Sequence, residues 1–330
     1  MGHVKYICQW SPTWVTIMYS APMTLWRVHT TAREAAADFC VKNKVVGVGW
    51  PVDATRELCF DEYCDLADTR YPGDKGWRSA VTAIARGMQP GDLCWIRGDG
   101  TSQHRGIYFL GRITKGSWKY AAGDENKAAG TFNLRPCRWI RVGDEREVPG
   151  LLPTRFIRGQ TVRRIEPDTE AKANLVLYSK FLWNNLSRRH SYKLDEKRCE
   201  NNWAFLLSYK DLEELLALYL QFKKGYAVLS TTWRTETPLF EVFLCSRRQG
   251  RRQAAIQVKT GAEVLHYETY SDCTGLDVFL CNSSDKVEGA PLPFVHKVPI
   301  ASVLAFAEKN ITQLPNRYRN YLDIWSMLRG

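Results

Sequence analysis

Long apolar runs are missing from this sequence of 330 residues. No stretch of roughly 18 uncharged apolar residues occurs, which argues against a membrane-spanning helix and a membrane partner. Residues 1–10 lack a basic segment followed by an apolar one, so we do not expect a cleaved signal peptide. Internal repeats and low-complexity tracts are also missing. Hydrophobic residues make up 45% and charged residues 25%, values typical of a folded globular protein.

Cysteine pairs with metal-binding or redox spacing are missing as well. The ten cysteines include no CxxC pair, and the spacing of a conceivable zinc set, Cys245, His266, Cys273 and Cys281, fits no standard ligand pattern. Several, such as Cys94 and Cys245, lie in apolar runs where reduced core cysteines are common. Residues 47–49 (Gly-Val-Gly) lack the third glycine of a dinucleotide-binding motif. Together with the missing export signal, this predicts a reducing, cytoplasmic location.

Positive charge is abundant and uneven. The net charge is +11, and residues 101–165 hold 13 Lys and Arg against 5 Asp and Glu, whereas residues 51–100 hold 6 against 9. A basic excess focused on one stretch predicts a polyanionic partner. The 12 tryptophans and 15 tyrosines favour nucleic acid, because bases stack on aromatic rings. The alternative is a basic domain without such a partner.

The first half is predicted to be rich in β-structure. Short apolar segments alternate with turn signals such as Gln89-Pro90-Gly91-Asp92, which predicts a small curled sheet or barrel with intervening helices. We predict strands at 44–50, 92–97, 106–114, 138–142 and 159–165, and helices at 32–42 and 77–86.

The second half has a different pattern. A helix is predicted at 170–186, followed by a polar linker at 187–202. Ser208 caps a helix with an apolar stripe that Gly225 ends. Strands at 226–231, 239–245, 254–260, 276–281 and 294–298, with a helix at 299–309, predict a mixed α/β domain. The length suggests two domains, placed at 1–165 and 205–330 with residues 166–204 as helix and linker.

Three polar residues in two neighbouring strands could carry chemistry. Glu241 lies among apolar residues, and Gln257 and Lys259 share one face of the next strand, because strand side chains alternate. Carboxylate and amide oxygens suit Mg²⁺, which would lower the pKa of a bound water for phosphodiester hydrolysis. Lys259 would orient that water or neutralise charge in the transition state. The alternative is that each side chain is simply solvated.

This pattern resembles the Mrr-like branch of the PD-(D/E)xK restriction nucleases. The resemblance covers about residues 205–310 and implies a restriction-endonuclease-like α/β sandwich. It places Glu241 and Gln257 as metal ligands and Lys259 as the motif lysine. A helical Glu, either Glu213 or Glu214, would join them as a further catalytic residue. Both strand acids of the motif are changed, one to Glu and one to Gln. The alternative is therefore a degenerate domain that binds without cutting.

The first half resembles the PUA/EVE-like fold. The resemblance rests on the segments GVGW (47–50), GDLCWIR (91–97), YFLGRI (108–113) and RPCRWIRV (135–142). It implies a curled β-barrel that holds a flipped, modified base between aromatic rings. The alternative is that these rings pack inside the barrel. The candidate ring walls are Trp10, Trp50, Trp95 and Tyr108, and the candidate phosphate contacts are Arg97, Arg105 and Arg112.

Together these features predict a modification-dependent DNA endonuclease of anti-phage defence. The first half would recognise a modified base such as 5-hydroxymethylcytosine, and the second half would cut phage DNA with Mg²⁺. Cutting both strands needs two active sites, which a homodimer would supply. The alternative is a non-catalytic reader of modified DNA or RNA.

Overall fold

A curled, half-barrel sheet organises the first half of the molecule. The computed structural model describes residues 23–30, 35–54, 56–157, 160–194, 201–229, 240, 242–246 and 252–329. The strands of this sheet are β1 (Leu25–Val28), β2 (Val45–Val48), β3 (Leu93–Arg97), β4 (Tyr108–Ile113), β5 (Lys119–Tyr120), β6 (Asn133–Gly143) and β7 (Val162–Ile165). The strand order is β2-β6-β4-β3-β1-β7, and β5 also pairs with β6.

The long strand β6 gives this sheet its curl. Its first residues, Asn133 to Pro136, pair with β2, and its later residues, from Cys137 onward, pair with β4. One strand thus serves two neighbours in succession. β1 and β3 run parallel, whereas β7 pairs antiparallel with β1 at the edge of the sheet.

Helices alternate with these strands along the chain. They are α1 (Ala36–Lys42), α2 (Phe60–Arg70), α3 (Lys75–Thr82), α4 (Asp124–Ala128) and α5 (Leu151–Thr154). The helix predicted at 77–86 is confirmed as α3 and the π-helical turn Ala83–Gly87 that follows it. Helix α2 was not predicted. It begins with a capping box in which Cys59 and Glu62 satisfy each other's backbone N–H groups.

The helix predicted at 170–186 is confirmed as α6 (Glu170–Ser187). Leu175, Tyr178 and Phe181 of this helix are buried in a core that also holds Trp95 from β3. The same core includes leucines of the second half. Beyond α6, the Tyr192 hydroxyl donates to the Gly91 carbonyl at 2.7 Å. The described part of the predicted linker therefore packs onto the first half.

The second half contains a mixed sheet in the order β14-β12-β10-β9-β8. Its elements begin with α7 (Tyr209–Lys224), which has the predicted Ser208 cap and ends at Gly225 with φ of 74°. The strands are β8 (Tyr226–Val228), β9 (Val242–Ser246), β10 (Gln253–Lys259), β11 (Leu265–His266), β12 (Leu276–Asn282), β13 (Val287–Glu288) and β14 (Val295–Lys297), with β11 paired to β13. Helices α8 (Ile300–Lys309) and α9 (Asn316–Arg329) follow.

The two faces of β10 have different neighbours. Ile256 and Val258 share a core with the leucines of α7. Ala255 shares the opposite face with Leu280 of β12 and Phe240. Gln257 and Lys259 have the same parity as Ala255, so they lie on the face away from α7. Within the described ranges, no helix is both long and apolar enough to cross a bilayer.

Candidate functional site

Trp50, at the end of β2, has an unusual backbone conformation. Its φ is +63°, in the left-handed region that side chains larger than glycine rarely adopt. Such strain persists only where the surroundings hold the residue firmly, and it occurs often at ligand-binding sites. Trp50, a candidate ring wall from the sequence, therefore also has the kind of backbone strain that is common at ligand-binding sites.

Four side chains from three segments, α2 with its C-cap, β5 and β6, hold the backbone around Trp50. Each one donates a hydrogen bond to a carbonyl oxygen in the run of residues 49–52. The pairs are Asn133 Nδ2 to Gly49 at 2.6 Å, Tyr63 to Trp50 at 2.9 Å, Tyr71 to Pro51 at 2.5 Å and Tyr120 to Val52 at 2.7 Å. We call Asn133, Tyr63, Tyr71 and Tyr120 the carbonyl frame. It fixes the chain in a conformation that local preference alone would not select.

A cleft of about 430 Å³ lies beside this segment. The indole Nε1 of Trp50 donates to the Asp74 carboxylate at 3.2 Å, which orients the ring at the rim. Close backbone approach shapes the floor, because a Cβ on Gly47 would lie 2.5 Å from Thr131 Cγ2. The volume lies within the roughly 300–1,000 Å³ typical of small-ligand sites. The lining includes His29, Thr30, Trp50, Lys127, Thr131 and Phe132.

His29 adds a titratable group to the cleft. Burial lowers the pKa of His29, and the nearby Arg27 lowers it further, whereas Asp99 acts in the opposite direction. The Nε2 atom lies 3.7 Å from the Asp99 carboxylate. The ring is therefore neutral at pH 7, so one nitrogen can donate and the other can accept a hydrogen bond. A donor and an acceptor together suit the edge of a nucleic-acid base, which itself carries both kinds of group.

Two other predicted ring walls lie in the core. Trp95 is fully buried, and its Nε1 donates to Ser179 of α6 at 2.9 Å. Tyr108 is also fully buried and lies beneath the Arg97 guanidinium, 5.5 Å from its ring centroid. Neither ring lines the cleft, because α6 covers this side of the sheet. Trp10 lies outside the described residues.

The three predicted phosphate contacts do not converge on the cleft. Arg97 is half-buried between Asp99 at 3.4 Å and Glu145 at 3.5 Å. Arg112 donates to the Tyr192 hydroxyl at 2.9 Å. Arg105 is exposed on the loop between β3 and β4. The structure thus leaves Arg105 open to solvent and gives the other two intramolecular partners.

The second candidate site lies at the end of β10. Gln257 is 7% exposed, and its Oε1 has no hydrogen-bond partner among the described residues. Lys259, two residues later, forms an ion pair with Glu263 at 2.8 Å. A buried amide oxygen without a partner is costly, and it is a hard donor of the kind Mg²⁺ takes. Gln257 therefore fits the predicted role of metal ligand.

The other predicted nuclease residues are placed differently. Glu241 comes immediately before β9 and lies outside the described residues. Glu214 accepts hydrogen bonds from Arg317 and from the Tyr318 hydroxyl of α9. Because α7 packs on the opposite face of β10, the structure does not bring Glu214 together with Gln257 and Lys259. The described residues contain no cluster of three or more His, Cys, Asp or Glu that could hold a metal ion.

Two acids near Lys259 were not found from the sequence. Glu263 is the ion-pair partner. Glu170, at the start of α6, lies so close to Gly261 that a Cβ there would be 2.7 Å from its Oε2. Glu170 is far from Gly261 in sequence, and no local pattern indicates that the two residues are neighbours. The sequence predicted the helix at 170–186 but not its position next to Gly261.

No family model matches the chain, and neither a curated protein nor a solved structure matches it. The candidate sites therefore rest on the geometry and chemistry of the described residues.

Proposed function

We propose that this protein is a modification-dependent DNA endonuclease. The cleft beside Trp50 would hold a modified base of foreign DNA, and the end of β10 would hydrolyse the phosphodiester backbone with Mg²⁺. The metal would polarise the phosphate and activate water. Glu241 and Gln257 would hold it, and Lys259 would neutralise developing charge.

Support for base reading comes from the carbonyl frame. It holds a tryptophan at the rim of a cleft that also offers Phe132, a neutral histidine and Lys127. A flipped base needs a flat ring for stacking and a few polar groups for its edge. The Trp50 ring is half-exposed, so its face can meet a base without unfolding the core.

The observation that carries the nuclease half is the orphaned carbonyl oxygen of Gln257. It is buried two residues before Lys259, on the same strand face. Burying an amide oxygen without a partner costs about 1–3 kcal/mol, a cost that a bound cation would offset. Glu263 and Glu170, near the same strand end, are further carboxylates for this site.

The test is cleavage by wild type and a Lys259→Ala variant. Each is incubated with Mg²⁺ and phage DNA that carries hydroxymethylated, methylated or unmodified cytosine. We expect wild type to cut only modified DNA and Lys259→Ala to cut none of it. Arg138→Ala, which removes an exposed positive charge from β6, is the matched control and should still cut. Equal cleavage by all three proteins, or by none, would overturn the nuclease proposal.

A non-catalytic reader is the second candidate. It is favoured by the Lys259–Glu263 ion pair and by the lack of an acidic cluster within the described part of the chain. Calorimetry separates the two functions. If the protein binds modified DNA but shows no binding of Mg²⁺, the result supports the reader. In either case binding should weaken as salt rises, because phosphate contacts release counterions.

A further inference from the structure

Arg27, in the middle of β1, is a buried cation with an unused hydrogen-bond donor. Its side chain is 1% exposed. One terminal nitrogen donates to the Gln160 carbonyl at 2.7 Å, and the guanidinium lies 5.7 Å from the centroid of the Phe156 ring. The other terminal nitrogen, NH1, is buried and has no partner among the described residues. A charge in this state is expensive unless something pairs with it.

The charged groups that act on Arg27 are other arginines. Arg163 lies directly opposite it across the β1–β7 pair, where like charges destabilise a sheet. Burial lowers the pKa of Arg27 to about 10, and Arg163 and Arg155 lower it in the same direction. Within the described residues, none of these three arginines has an acidic partner. The Arg155 Nε is also buried without a hydrogen bond.

These groups line a pocket of about 260 Å³ at the edge of the curled sheet. Two acids also line it, but each already has a cation of its own. Asp168 pairs with Lys172 at 2.7 Å, and Glu166 pairs with Arg164 at 3.8 Å. The acids therefore leave the three arginines uncompensated. The pocket is separate from the Trp50 cleft, since the two share no lining residue.

We propose that this pocket binds a phosphate group, held by Arg27, Arg155 and Arg163. A tetrahedral dianion or a phosphodiester offers several oxygens to the planar, multi-donor guanidinium groups, a geometry that arginine recognises better than lysine does. It would accept from the unused NH1 of Arg27 and remove the repulsion between Arg27 and Arg163. The phosphate site does not depend on cleavage at β10.

The pocket lies near the end of the proposed cleavage strand β10. Asp168 and Lys172 line it, and Glu170, between them in sequence, lies against Gly261 just after β10. A phosphate in the pocket would thus sit beside the helical turn that contacts the residues just after the proposed cleavage strand. It could belong to a nucleic-acid backbone or to a free phosphate compound.

The test compares Arg163→Gln with Arg138→Gln. Both arginines are exposed strand residues, so both variants should fold and lose the same charge. The melting temperature is measured in inorganic phosphate and in chloride at equal ionic strength, and affinity for a short unmodified duplex is measured by anisotropy. We expect Arg163→Gln to weaken phosphate or duplex binding about tenfold. Arg138→Gln should bind phosphate and the duplex with affinities closer to those of wild type.

The pattern of losses identifies the source. Loss of the phosphate-dependent rise in melting temperature indicates a free phosphate compound, whereas loss of duplex affinity alone indicates a backbone phosphate. Arg27→Met is the second variant. It should lose the same binding, with a melting temperature in chloride at least equal to that of wild type, because it removes an unpaired buried charge. Equal binding by wild type, Arg163→Gln and Arg138→Gln in both assays would overturn the proposal.

Discussion

The Tyr63 hydroxyl donates to the Trp50 carbonyl at 2.9 Å and accepts from Asn133 Nδ2 at 3.0 Å. One fully buried phenol on α2 thereby connects the strained end of β2 with the start of β6. Burial raises the pKa of Tyr63, so the phenol keeps its proton and its donor role at any physiological pH.

Tyr63→Phe should loosen the segment around Trp50. The change leaves the Trp50 carbonyl without its donor and removes one acceptor from Asn133, so we expect a loss of about 1–3 kcal/mol in the free energy of unfolding. Urea denaturation measures it. Tyr219→Phe is the control, because the Tyr219 ring packs against Phe306 and is only half-buried. Losses of equal size in the two variants would show that the frame does not hold Trp50.

Trp50→Gly and Trp50→Phe should separate backbone strain from base stacking. Glycine adopts a positive φ without penalty, so relief of backbone strain should offset part of the stability lost with the ring's packing and its Asp74 hydrogen bond. Its affinity for DNA with a modified base should fall by about 1–3 kcal/mol, the contribution of one stacking ring. The Phe variant keeps a ring and should keep most of the affinity. Anisotropy with modified and unmodified duplexes checks this, and unchanged affinity in the Gly variant would contradict base reading at this cleft.

Gln257→Leu should abolish any stabilisation by Mg²⁺. Wild type should melt at a higher temperature as Mg²⁺ is added, since a ligand that binds only the folded state stabilises it. Without the metal, the Leu variant should be as stable as wild type or more so, because the orphaned oxygen is gone. Gln253→Leu, an exposed position on the same strand face, is the control and should respond to Mg²⁺ like wild type. A normal Mg²⁺ response in Gln257→Leu would remove Gln257 from the metal site.

Asp211→Ala should be the most destabilising of these changes. Asp211 is fully buried and accepts from Arg317 Nε and from the Tyr321 hydroxyl, both at 2.9 Å. Removing it takes away one of the two acidic partners of the buried Arg317, the other being Glu214. It also leaves the Tyr321 hydroxyl and the Ser208 N–H without their acceptor, and each buried group left unpaired costs about 1–3 kcal/mol. Guanidinium denaturation should show this loss, whereas Asp323→Ala on the exposed side of α9 should change stability little. Similar midpoints for both variants would contradict it.

The regular elements of the chain could be predicted where local chemistry marks their ends. Ser208 and Gly225 bracket α7, and the capping hydroxyl and the left-handed glycine are visible in the sequence. The first part of β6 and the short strand β1 were missed, because Asn133 to Pro136 and Leu25 to Val28 have no clear apolar alternation. Their pairing depends on distant strands.

The sites were harder to predict than the elements. Trp95 and Trp50 were both predicted to lie in strands, but Trp95 is in β3 under α6, whereas Trp50 follows β2 and the cleft opens beside it. Which face of a strand is covered depends on tertiary packing, and sequence alternation alone does not distinguish them. The Arg27 pocket has the same origin, since it forms only when β1 and β7 become neighbours.

The carbonyl frame separates the shape of the cleft from its chemistry. Its four donors bind main-chain oxygens, so the course of the backbone does not depend on the exposed side chain of Lys127, which lines the cleft. Lys127 can therefore be exchanged without moving the walls, unlike the buried Thr131, which packs against Gly47. Under the proposed base reading, variants at Lys127, selected for binding to DNA with differently modified cytosines, are the direct route to an altered base preference.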